Sequence, residues 1–205
     1  MINADTILRA FACSPEDVEI AELIRQTAQL ASCSAPLPER KSYSDVVYDN
    51  YQMLGLSLQF EPANVGSDAR SCASGDLCLA AVDLYGHQDP ADSRSSIWKP
   101  FVGLPLTLHF SHMGQTREAA ISRSMTGKQF VSTFGEPTRK GGGDAGRMGP
   151  PVWMEWQLDV PGAAARVRSL KLLVELTGAA VRGPDRWSPD RAGSAQWGVL
   201  TLTKS

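Results

Sequence analysis

Apolar positions along the chain follow two periods. In SPEDVEIAELIRQTAQL, residues 14 to 30, Val18, Ala21, Ile24 and Ala28, joined by Leu23 and Leu30, recur three or four apart, which predicts an amphipathic helix. Ser14 is placed to cap it, Pro15 suits a first turn where its missing N–H costs nothing, and Glu16 and Asp17 put negative charge at the positive end of the dipole. A shorter helix is expected just before, from Ala4 to Phe11. A third, TGKQFVSTFGEP, opens with Thr126 and carries Gln129 three positions on, the spacing of a capping box. Phe130, Val131 and Phe134 form its apolar side, and Gly135 and Pro137 end it.

Elsewhere the period is two. Leu56, Leu58 and Phe60 alternate with Ser57 and Gln59, as a strand with one buried face requires. The runs DVVYDNYQ, LCLAAVDLYG, GLPLTLHF, PVWMEWQL, LKLLVELTG and QWGVLTLT read as further strands, and Pro105, which cannot donate to a ladder, places GLPLTLHF at an edge. Consecutive strands with no helix between them imply hairpins, hence an antiparallel sheet with short helices on one face, an α+β fold. The order of helix, loop, aromatic strand, aliphatic strand, loop and last strand occurs twice. Two tandem helix-plus-antiparallel-sheet units, 1–112 and 113–205, are therefore expected, packed as one body.

The stop TFGEP followed by VWMEW and LLVEL resembles the repeat of β-lactamase inhibitory protein and of small envelope assembly lipoproteins, a helical segment leading into an antiparallel sheet. The chain also resembles a family of fungal proteins that carry YxNYxxLGLSL, here residues 48–58, and GEPxRKGGG, here residues 135–143. The first resemblance implies a fold; the second implies no particular activity.

Composition changes this picture little. Of 205 residues, 42% are hydrophobic and 20% charged, an ordinary globular balance, and a net charge of −2 gives no global field for nucleic acid or an anionic membrane. No apolar run approaches the ~20 residues that span a bilayer, and the N-terminus does not have the pattern of a secretory signal, so a cytoplasmic protein is expected. The four cysteines, Cys13, Cys33, Cys72 and Cys78, form no CxxC and are expected as reduced thiols.

The chemistry-bearing residues cluster late in the chain. RKGGGDAG, with Arg139, Lys140 and Gly142, could offer cations and backbone N–H groups to an anion, or could simply be the bend that delivers a strand. It lacks the lysine and hydroxyl residue that follow the last glycine of a phosphate-binding loop. In VWMEW, Trp153 and Glu155 project to one face and Met154 and Trp156 to the other. If Glu155 and Glu175 share a face, the two carboxyls could act as acid and base. Arg182 and Trp187 lie in an arginine- and tryptophan-bearing loop that suits partner contact. His109 and His112, three apart on a strand, disfavour a metal pair, and no cofactor or metal is expected. The resulting expectation is a non-catalytic binding or interaction module with an unidentified protein or small-molecule partner. Its contact surface is a concave sheet face displaying Trp153, Trp156 and Glu155, rimmed by Arg139, Lys140 and Arg182. The alternative is a small enzyme using Glu155 on the same face.

Overall fold

A computed structural model describes residues 2–87, 97–112, 115–142, 152–161, 167–183 and 185–205. Two helices come first, α1 (Ala4–Ala10) and α2 (Val18–Leu30). The helix expected to be capped by Ser14 begins three residues later. Asp17 takes the N-cap position, and its carboxylate accepts the Ser14 amide at 2.7 Å, tying residues 14–17 into a turn ahead of the helix. After α2 run β1 (Glu39–Ser42), β2 (Val47–Tyr51), β3 (Leu56–Pro62), β4 (Leu77–Tyr85), β5 (Leu106–His112) and β6 (Gln115–Ile121). Then come α3 (Gly127–Phe134), β7 (Arg139–Gly141), β8 (Trp153–Asp159), β9 (Ser169–Leu176), α4 (Pro189–Ser194) and β10 (Trp197–Lys204). The capping box of α3 is formed by Thr126 and Gln129, and Gly135, at φ 84°, ends the helix in a conformation that disfavours a side chain.

Among the described residues all ten strands belong to one antiparallel sheet, ordered β1-β2-β3-β4-β10-β9-β8-β5-β6, with β7 also paired to β8. The order is symmetrical about its centre: β1 to β4 approach from one side, β7 to β10 from the other, and the last strands of the two sets, β4 and β10, pair. Each set follows a helix, α2 or α3. The boundary expected at residue 112 falls inside the β5–β6 hairpin; β5 pairs with β6, touches β8 at Ser111 and Asp159, and is bridged to Asn3 through Thr107. β5 is also an interior strand and β6 the edge. Pro105 precedes β5, so its missing N–H removes no ladder bond.

One face of the sheet carries the core. Leu56, Leu58 and Phe60 of β3, Val82 and Leu84 of β4, Leu200 and Leu202 of β10, Leu172 and Val174 of β9, and Trp156 of β8 are fully or almost fully buried together with Ile7, Leu8, Phe11 and Leu23 of the first helical segment. Phe130 and Phe134 of α3 lie against Trp156 at centroid distances of 6.2 and 5.9 Å. A bulge shifts the alternation of β10 by one residue. Trp197 pairs with Leu176 and Val199 with Glu175, so Gly198 is the extra residue, and the Trp197 ring turns inward with the leucines. The opposite face of the sheet is where the polar half of each alternation lies. Among the described residues no helix is long and apolar enough to cross a membrane, and Cys13, Cys33, Cys72 and Cys78 are all unbridged.

Candidate functional site on the polar sheet face

Strand register arranges the polar face in two lateral rows. The first runs Asn50, Ser57, Asp83, Thr201, Leu173, Glu155, Arg139, each residue the cross-strand partner of the next. The second runs Tyr85, Val199, Glu175, Trp153, Gly141. Residues from both ends of the chain therefore meet along lines perpendicular to the strands, where cross-strand neighbours are close enough to interact.

Asp83 stands at the middle of the first row. Its Oδ1 accepts the Thr201 hydroxyl at 2.7 Å, and its Oδ2 accepts the Gln59 amide at 2.7 Å. Beside it, the Ser57 hydroxyl donates to Asn50 Oδ1 at 2.8 Å. Burial pushes the Asp83 carboxyl above the usual aspartate range, and the two hydrogen bonds only partly oppose this. Glu175, in the second row, is also pushed up, first by burial and then by the charge of Asp83. Tyr48 and Tyr85 are raised for the same two reasons in the same order.

At the β2 end the face opens into a groove of about 520 Å3, lined by Lys41, Tyr43, Asp45, Val46, Tyr48, Asn50, Tyr85 and Trp98. The Trp98 ring lies on Tyr85, centroids 3.7 Å apart and planes 8° from parallel. The groove is shallow and wide open to water, so a ligand held there would keep much of its surface solvated.

The residues singled out from sequence are divided by the sheet. Trp153 and Glu155 do share the polar face, as alternation requires. Trp153 lies against Gly141, where an added Cβ would come within 2.7 Å of the ring, and the Arg139 guanidinium sits 5.7 Å from the ring centroid. Glu155, with 14% of its side-chain surface exposed, faces Arg139 at 3.5 Å. Trp156 does not belong to this surface. It is 2% exposed on the core side, and its indole N–H donates to the Gly135 carbonyl at 2.9 Å. A strand with period two cannot display Trp153 and Trp156 on one face.

The expected basic rim is divided for the same reason. Arg139 pairs with Glu155 on the polar face, whereas Lys140 pairs with the buried Met154 and reaches Trp187, 5.9 Å from its ring, on the helical side. Arg182 is exposed, and its carbonyl accepts from Arg191, which also binds the carbonyls of Ala179 and Ala180 and so fastens this loop. Gly142 has φ 80°, and the glycine-rich loop beyond it lies outside the described residues. Glu155 and Glu175 share the polar face, but Glu155 sits opposite Leu173 and Glu175 opposite Trp153. The carboxylate that acts on Glu175 is that of Asp83, and the charge beside Glu155 is that of Arg139. His109 approaches Glu118 at 3.7 Å, and among the described residues no group of three or more His, Cys, Asp or Glu side chains is arranged to hold a metal.

Sequence reading missed Asp83, Gln59, Thr201, Tyr48, Tyr85 and Trp98. The signal for most of them was the alternation itself: Ser57, Gln59, Asp83 and Thr201 are the polar members of otherwise aliphatic strands. Their assembly into rows depends on register across four strands. No family model, no curated protein and no solved structure matches the chain.

Proposed function

We propose that the protein is a non-catalytic binding module whose ligand sits on the polar face of the sheet, in the groove between Tyr43, Tyr48 and Trp98. One observation carries this reading. A face on which Gln59 and Thr201 hydrogen-bond to half-buried Asp83, with Glu175 in the neighbouring row, leads directly into a groove of about 520 Å3 bordered by four aromatic rings. Polar side chains held by one another are pre-organised, and a ligand then loses less on ordering them. The four unbridged thiols support placing it in a reducing compartment such as the cytosol.

A second reading, acid–base catalysis on the same face, is favoured by a single observation: the raised carboxyls of Asp83 and Glu175 lie in adjacent rows. It replaces Glu155 with Asp83 as the reactive group, because Glu155 is engaged by Arg139.

A thermal-shift survey of small polar and aromatic compounds tests the binding reading. Compounds that raise the melting temperature of the wild type are expected to lose the effect in Trp98→Ala and in Tyr48→Ala, and to keep it in Trp153→Ala at the far end of the face. Binders that ignore Trp98 and Tyr48 but respond to Arg9→Ala, at the cleft between α1 and α2, would place the site on the helical side and end this reading.

A further inference from the structure

The groove also carries an inference about ligand chemistry, which rests on the binding reading above. Its walls are aromatic. The rings of Tyr43 and Tyr48 meet edge to face, at 87° with centroids 5.9 Å apart, so their remaining faces are turned to the groove's other contacts. Tyr85 and Trp98 form a flat stack, so between them only outer ring faces remain to meet a ligand. Aromatic faces carry negative potential.

Carboxylates outnumber cations around these rings. Asp45 lines the groove, and Asp83, Asp45 and Glu61 all act on the Tyr48 phenol, while Asp83 and Glu175 act on that of Tyr85. The cation among the lining residues is Lys41, whose ammonium is engaged by Glu39 at 3.2 Å. Arg40, the residue before it, is committed elsewhere: it forms two 2.7 Å bonds to Asp49, on the core side of β2. An anionic ligand would meet carboxylates here. A hard metal ion would need a shell of oxygen ligands, which ring faces do not supply.

We propose that the groove binds an organic cation, an alkylammonium or guanidinium group, free or carried on a basic side chain. Ring faces attract such a cation even at exposed sites, weakly for each ring, which fits millimolar affinity in an open groove. Asp45 supplies the opposing charge at the mouth, and the Asn50 amide can position a polar substituent. A volume of about 520 Å3 accommodates the cationic head together with the group that bears it.

Three probes decide the matter by NMR, with the Trp98 indole N–H as reporter, assigned from a Trp98→Phe spectrum. They are choline, its uncharged carbon analogue 3,3-dimethylbutan-1-ol, and the amide of acetyl-trimethyl-lysine. Choline is expected to shift the reporter at millimolar concentration, and the alcohol to bind about tenfold more weakly or worse. Tighter binding of the lysine derivative than of choline assigns the cation to a peptide; equal or weaker binding assigns it to a free metabolite. Asp45→Asn is expected to weaken choline several-fold with the fold unchanged. Equal affinity of choline and the alcohol would overturn the cation assignment while leaving a ligand groove in place. No response to choline or to the lysine derivative up to about 100 mM would also overturn it. The compound survey with Trp98→Ala judges the groove separately.

Discussion

Replacing Trp156 by alanine tests the division of the sheet into a core face and a polar face. Trp156 keeps 2% of its surface, and its ring packs among Phe130 and Phe134. A buried tryptophan removes on the order of 200 Å2 from water, which at about 25 cal/mol per Å2 is worth roughly 5 kcal/mol before allowance for the compactness of the unfolded chain. Truncation also removes the donor to Gly135, the residue that ends α3, and an unpaired buried carbonyl costs about 1 kcal/mol more. After allowance for the unfolded chain, the expected loss is about 4 kcal/mol, within the range for such truncations. Trp153→Ala, by contrast, removes a ring on the polar face that keeps some contact with water and, after the same allowance, should cost about 2–3 kcal/mol. Urea unfolding at neutral pH is the assay, with the midpoint read at constant m-value. A loss under about 2 kcal/mol for Trp156→Ala, or equal losses for the two tryptophans, would refute the assignment of faces.

Three other substitutions test separate parts of the structure. Gly86→Ala puts a Cβ at 2.5 Å from the Trp197 ring, which is fully buried, and should destabilise by about 1–3 kcal/mol by the same assay; a neutral result would mean the ring is free to move. Arg40→Met leaves the Asp49 carboxylate, 3% exposed, without its two-bond partner, at a cost of about 3 kcal/mol that adding Asp49→Asn should largely restore; an uncorrected loss would show that packing, not charge, is at stake. Asp83 has a carboxyl raised by burial, so its contribution to folding is greatest when protonated and is lost as pH climbs through the raised value. Asp83→Asn removes that loss while Thr201 can still donate and Gln59 can turn over. The variant's advantage in urea midpoint should therefore grow from acid to neutral pH, and an advantage that shrinks over that interval would contradict the burial of the carboxylate.

Much of this architecture is written in local pattern. The alternation of Leu56, Leu58 and Phe60 with Ser57 and Gln59 defines the inner and outer faces of β3, and Thr126 with Gln129 marks the start of α3. β1, β6 and β7 were not legible because they are short or exposed, and their residues, such as Glu39, Arg40, Arg117 and Arg139, carry charge instead of an apolar period. Charge at a sheet border discourages pairing with a further chain, so such strands resemble loops in sequence. The site was hidden for another reason. Asp83 and Thr201 are 118 residues apart and become neighbours only because β4 and β10 meet at the centre of the sheet. Trp153 and Trp156 attracted notice as aromatic residues close together in sequence, but proximity along a strand separates side chains by face, and Tyr85 with Trp98 makes the ring pair that borders the groove.

The most direct measurement is to crystallise the protein with the strongest binder from the compound survey and locate the bound molecule. The account predicts its density on the polar face, against Tyr43, Tyr48 and the outer side of the Tyr85 and Trp98 stack. Density instead on the helical side, between α1 and α2 near Arg9 and Glu22, would contradict it.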